Sequence, residues 1–118
     1  MEFYEITHRN MDVEFIQQNL RIDNLNQYCK SINTIVSHHK ETGEIYCLWG
    51  LFTVHRELIK KGIRISLLNC PNALTFTITN EGDRIVLHCT INTPETDQEF
   101  EDSIKTFLSD LKAGINQF

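Results

Sequence analysis

The clearest pattern of apolar positions lies near the C-terminus. Residues 95–113 form an acidic segment in which apolar side chains recur at the spacing of one face of an α-helix, so an amphipathic helix is predicted there. Pro94 precedes the segment, Thr96 and Glu99 are spaced as a capping box, and Gly114 is placed to end the helix. The predicted apolar stripe consists of Phe100, Ile104, Phe107, Leu108 and Leu111.

The middle of the chain is rich in β-branched and aromatic residues and is divided by turn-forming sequences. The connections are short, so consecutive strands should pair antiparallel. Before them, a short strand is predicted at 2–7, and Asp12 and Asp23 are each placed to cap a short helix. The main strands are predicted at about 32–39, 44–58, 62–68, 73–79 and 84–92.

Alternation along the strands indicates which face of the sheet is the core. If 81–82 is a two-residue turn, Phe76 pairs with Leu87 on an apolar face. If 69–72 is the turn before it, Ile65 pairs with Phe76 on the same face. A slip of one residue would turn these side chains to the wrong side, so the agreement of two turns supports this face. The opposite face is predicted to hold a polar row across four strands, namely His55, Ser66, Thr75 and His88.

These elements predict a single α+β domain over residues 1–118. Its centre is an antiparallel β-meander of five to six strands packed by the C-terminal helix, with one or two short N-terminal helices. This order resembles the helix-grip architecture, in which a curved sheet wraps a terminal helix, with one strand fewer. The resemblance implies a two-layer arrangement with a pocket between sheet and helix.

Charge and composition narrow the classes of function. The net charge is −5 and the basic residues are scattered, whereas nucleic-acid binding needs a clustered basic surface. The N-terminus lacks the basic start and apolar run of a signal peptide, and no apolar stretch approaches the roughly 20 residues of a membrane span. We therefore expect a cytoplasmic protein that binds neither nucleic acid nor membrane.

The cysteines predict neither disulfides nor a metal site. No two of them form a C-x-x-C pair, and three lie in apolar periodic segments, where a free thiol packs as a small apolar group. A single zinc ion between the two histidines of the polar row is excluded because they lie three strand spacings apart, roughly 14 Å. No metal and no cofactor are expected. The four cysteines are Cys29, Cys47, Cys70 and Cys89.

A ligand pocket is suggested by the strand predicted at 44–58. Its even-numbered positions continue the apolar core face, and Arg56 belongs to that series. A guanidinium group on a core-facing position must be paired or reach solvent. One interpretation is that Arg56 binds a carboxylate or phosphate of a ligand, in a site lined by Tyr46, Gly50 and Phe52. The other is that Arg56 lies near the end of the sheet, where its charged group either reaches solvent or pairs with an acidic residue of the C-terminal helix.

The odd-numbered positions of the same strand are also apolar. A strand that is apolar on both faces is usually covered on both. Either the N-terminal helices or a second subunit would provide this cover. An interface of the second kind would use Trp49, a residue type enriched at binding hot spots, together with Ile45 and Leu51.

Three hypotheses of function follow. The first is a non-enzymatic binding domain that holds a small, partly apolar or anionic ligand between sheet and helix. The second is a homo-oligomeric assembly protein that associates through Trp49. The third is an enzyme that uses His55 with Ser66, or the thiol of Cys70 in its predicted turn.

Overall fold

A seven-stranded antiparallel sheet and a long C-terminal helix form the two layers of the protein. The computed structural model describes residues 1–93 and 96–117. Along the chain the elements are β1 (Glu2–Thr7), α1 (Val13–Asn19), α2 (Leu25–Tyr28), β2 (Ile32–His39), β3 (Thr42–Cys47), β4 (Gly50–Ile59), β5 (Gly62–Leu67), β6 (Thr75–Asn80), β7 (Ile85–Thr90) and α3 (Gln98–Ile115).

The order of strands across the sheet is β1-β7-β6-β5-β4-β3-β2. The first two strands in sequence therefore form the two edges, and α1 and α2 connect one edge to the other. β2 to β7 are joined in sequence as an antiparallel meander. This arrangement confirms the predicted α+β class and the helix-grip order.

The sheet has one strand more than predicted because the segment at 44–58 is two strands. Leu48 and Trp49 form a turn between β3 and β4, and Cys47 pairs with Gly50 across it. The turn reverses the alternation of side chains, so odd positions face the core before it and even positions after it. Ile45 is accordingly 1% exposed and Tyr46 is 53% exposed.

The predicted register of β5 against β6 is correct, since Ile65 pairs with Phe76. Across β4 and β5, Val54 pairs with Leu67. The register of β6 against β7 is wrong by two residues, since Phe76 pairs with Cys89 instead of Leu87. The loop there has four residues, 81–84, in place of two. A shift of two keeps the same side chains on the core face, so the predicted face is confirmed.

The long helix α3 starts later than predicted. Asp97 is its N-cap and accepts a hydrogen bond from the backbone N–H of Phe100 (2.8 Å), so the capping box predicted for Thr96 and Glu99 is wrong. Pro94 lies outside the described residues. Gly114 lies inside the helix and allows close contact with α2, because a Cβ at this position would lie 1.8 Å from the carbonyl oxygen of Tyr28.

The two short N-terminal helices differ in how well they were predicted. Asp12 caps α1 through a bond from the N–H of Phe15 (2.7 Å), as expected. Asp23 caps nothing; it lies within a 3-10 turn, Ile22–Asn24, that leads into α2. α2 itself has four residues.

The core lies between the sheet and α3, and its largest fully buried rings are Phe76 and Phe107. The opposite face of the sheet, called here the outer face, is covered by no helix or strand within residues 1–93 and 96–117. No helix in this part of the chain is long and apolar enough to cross a membrane. The apolar stripe predicted for α3 is confirmed, with Ile104, Phe107, Leu108 and Leu111 all buried.

Candidate functional site

Arg56 lies in the C-terminal half of β4, three residues before its end, and is 4% exposed. Its Nε donates to the carbonyl oxygen of Leu20 (2.8 Å) and its Nη2 donates to the carbonyl oxygen of Gln17. Its Nη1 forms an ion pair with Glu41, whose carboxylate oxygen lies 2.8 Å away. The guanidinium group therefore links the last turn of α1 to the sheet.

These bonds contradict the role of ligand anchor for Arg56. Every guanidinium nitrogen already bonds to a protein acceptor, and the group is sealed from solvent. The other interpretation is correct in that Arg56 is paired with an acidic residue near the end of the sheet. That residue is Glu41 of the β2–β3 turn and not a residue of the C-terminal helix.

The other predicted lining residues are divided between the two faces of the sheet. Tyr46 lies on the outer face and pairs with Leu51, so its predicted place in the pocket is wrong. Gly50 has a φ of +113° and follows the turn, so the backbone conformation there favours a glycine. A Cβ at this position would meet no atom within 4 Å. Phe52 does face the core, beside Ile45.

Trp49 lies at the opposite end of β4, in the turn that the sequence did not reveal. Its indole N–H donates to Ser103 Oγ (2.8 Å), and this hydroxyl donates to the carbonyl oxygen of Phe100 (2.6 Å). The indole ring lies 5.0 Å from the Phe107 ring and 6.3 Å from the Phe100 ring, measured between centroids. Trp49 is thus held against α3 and remains partly accessible.

An open cleft of about 330 Å³ lies beside Trp49. One wall is the β3–β4 turn and the other is the first two turns of α3. Among residues 1–93 and 96–117, the charged groups that line it are both carboxylates, since Asp97 caps the helix and Glu99 lies in its first turn. We call it the Trp49 cleft; its lining residues are Leu48, Trp49, Asp97, Glu99, Phe100 and Ser103.

Aromatic rings fill the space between the sheet and α3 behind the Trp49 cleft. Phe107 lies 5.0 Å from Trp49 on one side and 5.0 Å from Phe76 on the other. Phe76 and Phe107 are each 1% exposed. A ligand would therefore contact the mouth of this space, because the rings occupy its interior.

The three residues predicted for an interface around Trp49 do not share one face of the sheet, because the β3–β4 turn separates them. Ile45 is in the core, and Trp49 packs against α3. Leu51 is 52% exposed on the outer face, as expected. Its apolar partner there, across β3 and β4, is Tyr46.

The enzymatic candidates lie on the outer face or in a loop. His55 pairs with Ser66, as the register predicted, and the hydroxyl of Thr75 lies 3.4 Å from that of Ser66. His88 is outside this row because of the shift in β7; it stacks on Tyr4 at 4.4 Å and its Nε2 lies 3.0 Å from Glu2. Among the described residues, no three His, Cys, Asp or Glu side chains are grouped to bind a metal ion.

Burial raises the pKa of three thiols. It raises the pKa of Cys29 and that of Cys89 to about 12. It also raises the pKa of Cys47. All four cysteines are free, and Cys70, in the β5–β6 loop, is the partly accessible one.

The residues of the Trp49 cleft were missed because they come from segments 50 positions apart in sequence. One local signal was present. Gly50 lies within the segment read as a single strand, and a glycine at such a position often marks a break.

A search of solved structures finds a START superfamily protein from Mycobacterium smegmatis with a similar fold. The TM-score is 0.61, the identity is 11%, and the alignment covers 98% of this chain and 97% of the other. This similarity supports the helix-grip arrangement of the fold. No protein-family model matches the chain, and no curated protein does.

Proposed function

We propose that this chain is a small ligand-binding domain whose ligand occupies the Trp49 cleft. The observation that supports this proposal is an open, partly aromatic cleft of about 330 Å³ at the mouth of the sheet–helix interface, within the usual size of small-molecule sites. Binding is favoured over catalysis because the cleft offers apolar rings, two carboxylates, and a serine whose hydroxyl is already held in two hydrogen bonds.

The lining suggests the chemistry of the ligand. An apolar part would lie against the indole of Trp49 and the ring of Phe100. Because Asp97 and Glu99 supply the charged groups, a neutral or cationic head group fits better than a carboxylate, and a cation could also contact the indole face. The anionic ligand expected from Arg56 is thereby replaced by one of neutral or opposite charge.

Trp49 gives a direct test, because it is the only tryptophan in the chain. Intrinsic fluorescence should be titrated with primary amines, alcohols and carboxylates of matched alkyl or aryl size. The expected result is a saturable change in emission, with a lower dissociation constant for the amine than for the carboxylate of each pair. A rise in melting temperature at saturation should accompany it.

Two leucine variants locate the binding. Leu48→Lys places a positive charge at the cleft and should weaken amine binding by about tenfold. Leu58→Lys is the matched control, because Leu58 is 58% exposed near the other end of β4, and it should bind like the parent. If no compound produces a saturable change, the proposal fails.

A further inference from the structure

The two edges of the sheet differ in regularity. Along β2 the pairing with β3 shifts register twice, between Ile32 and Thr34 and between Ile35 and Ser37. Along β1 the pairing with β7 is unbroken over all six residues. An irregular edge resists a further strand because its hydrogen-bonding groups are out of step, whereas a regular edge accepts one. β1 is therefore the edge at which a strand can be added.

The ladder shows which backbone groups of β1 point outward. Met1 and Ile91 exchange two bonds, from Met1 N to Ile91 O (3.0 Å) and from Ile91 N to Met1 O (3.1 Å). Such exchanges occur at every second residue of an antiparallel pair. No other backbone segment of the described chain bonds to the residues in between. The residues that present their N–H and C=O groups to the open side are thus Glu2, Tyr4 and Ile6.

Exposed side chains flank this open edge on both faces. On the outer face, Tyr4 is 58% and Ile6 is 39% exposed. On the other face a cleft of about 320 Å³ separates β1 from α3 and contains Phe3 and Lys105. Lys105 takes part in none of the salt bridges formed within residues 1–93 and 96–117.

We propose that β1 pairs with β1 of a second copy of this chain, antiparallel about a two-fold axis at Tyr4. Backbone bonds then join Tyr4 to Tyr4 of the second copy, and Glu2 to Ile6 of the second copy, so that one sheet runs through both molecules. This surface is separate from the Trp49 cleft, and the pairing does not depend on ligand binding.

Charge and symmetry favour a second copy over an unrelated strand. Glu5 pairs with Lys112 of its own chain (3.2 Å). In the proposed register Glu5 of the second copy also lies opposite Phe3, beside the cleft that contains Lys105, so its carboxylate would lie between two ammonium groups. The shifts in β2 prevent a continuous β1–β2 ladder between copies. A two-fold β1–β1 pair also uses both regular edges and closes at two molecules.

Sedimentation equilibrium of the full chain tests this pairing. The wild type should show a monomer–dimer equilibrium, and exchange of the amide hydrogens of Tyr4 and Ile6 should slow as the protein concentration rises. Ile6→Pro removes an N–H that points away from β7, so the fold should be retained. The two copies together lose two bonds, and the dimer dissociation constant should rise about tenfold or more.

Leu51→Asp, on the outer face, is the control and should leave the dimer unchanged. If Ile6→Pro unfolds the protein, Lys105→Glu takes its place, since this exposed substitution should weaken the dimer through repulsion of Glu5. A wild type that stays monomeric at millimolar concentration overturns the proposal. So does a dimer that is weakened by Leu51→Asp and not by Ile6→Pro or Lys105→Glu.

Discussion

The two ends of β4 make opposite use of the space between sheet and helices. At one end Arg56 is buried and bonded on all its guanidinium nitrogens, so a charge has become part of the framework. At the other end, about 20 Å away at the usual rise of a strand, Trp49 is held against α3 and stays partly open. Arg56, a charged residue in a core row, thus stabilises the fold. The surface that remains accessible is the aromatic one at Trp49.

The largest expected effect is at the end of β4 that contains the buried Arg56. Arg56→Met leaves two carbonyl groups without their donor and should lower the free energy of unfolding by about 3 kcal/mol, because the third partner, Glu41, is half exposed and can be solvated. Arg64→Met is the matched control, because Arg64 forms an exposed ion pair with Glu57 on the next strand; its effect should stay within about 0.5 kcal/mol. Urea denaturation measures the free energy of unfolding of both variants. Equal losses would contradict a structural role for the bonds of Arg56.

The second prediction concerns the interior between the two ends. The pKa of Cys89 is raised from 9.0 to about 12 by burial, so the folded state resists ionisation of the thiol while the unfolded state ionises above pH 9. Stability from this group is therefore complete below pH 9 and falls up to pH 12. At pH 10.5 the loss should be about 2 kcal/mol.

Urea denaturation at pH 8 and pH 10.5 checks this loss. Cys89→Ala should show a smaller drop between the two pH values than the wild type, by that amount. An equal drop in both proteins would mean that solvent reaches the interior through the open end.

The third prediction concerns the other end of β4, where Trp49 is partly accessible. Ser103→Ala removes the acceptor of the Trp49 indole N–H and should lower the free energy of unfolding by about 1 kcal/mol. It should also increase quenching of Trp49 fluorescence by acrylamide, because the ring is held less firmly. Ser109→Ala, at an exposed position of α3, should change neither quenching nor cooperativity.

The smallest effect is a difference in labelling that leaves stability unchanged. In the native protein at pH 8, Cys70 should react first with a thiol reagent. A thiol with a pKa of about 12, such as Cys29, is ionised to only about one part in ten thousand at that pH. Peptide mapping after brief alkylation identifies the modified residue. Early modification of Cys47, which borders the Trp49 turn, would show that the open end extends deeper.

Periodicity was sufficient to predict the parts of the fold with one polar and one apolar side. The stripe of α3 and the core face of β5 and β6 belong to this class. The segment around Trp49 does not belong to this class, because both sets of alternate positions are apolar from Ile45 to Phe52. Where both faces read alike, alternation cannot reveal that a turn exchanges them.

Long-range contacts account for the error in the predicted role of Arg56. The partners of Arg56 lie 36, 39 and 15 residues away in sequence, so no local pattern identifies them. The β6–β7 register failed for a different reason. A shift of two residues preserves alternation, and the side chain of Asn80 accepts a bond from Gly82 N (2.9 Å) within the longer loop.

The contact at Gly114 limits how this protein can be engineered. Replacing a helical glycine with alanine is a standard route to greater thermostability. Here the methyl group would meet the main chain of a neighbouring helix, so the exchange would separate two elements that the fold requires in contact. Redesign of α3 should leave this position alone and use solvent-facing sites such as Thr106.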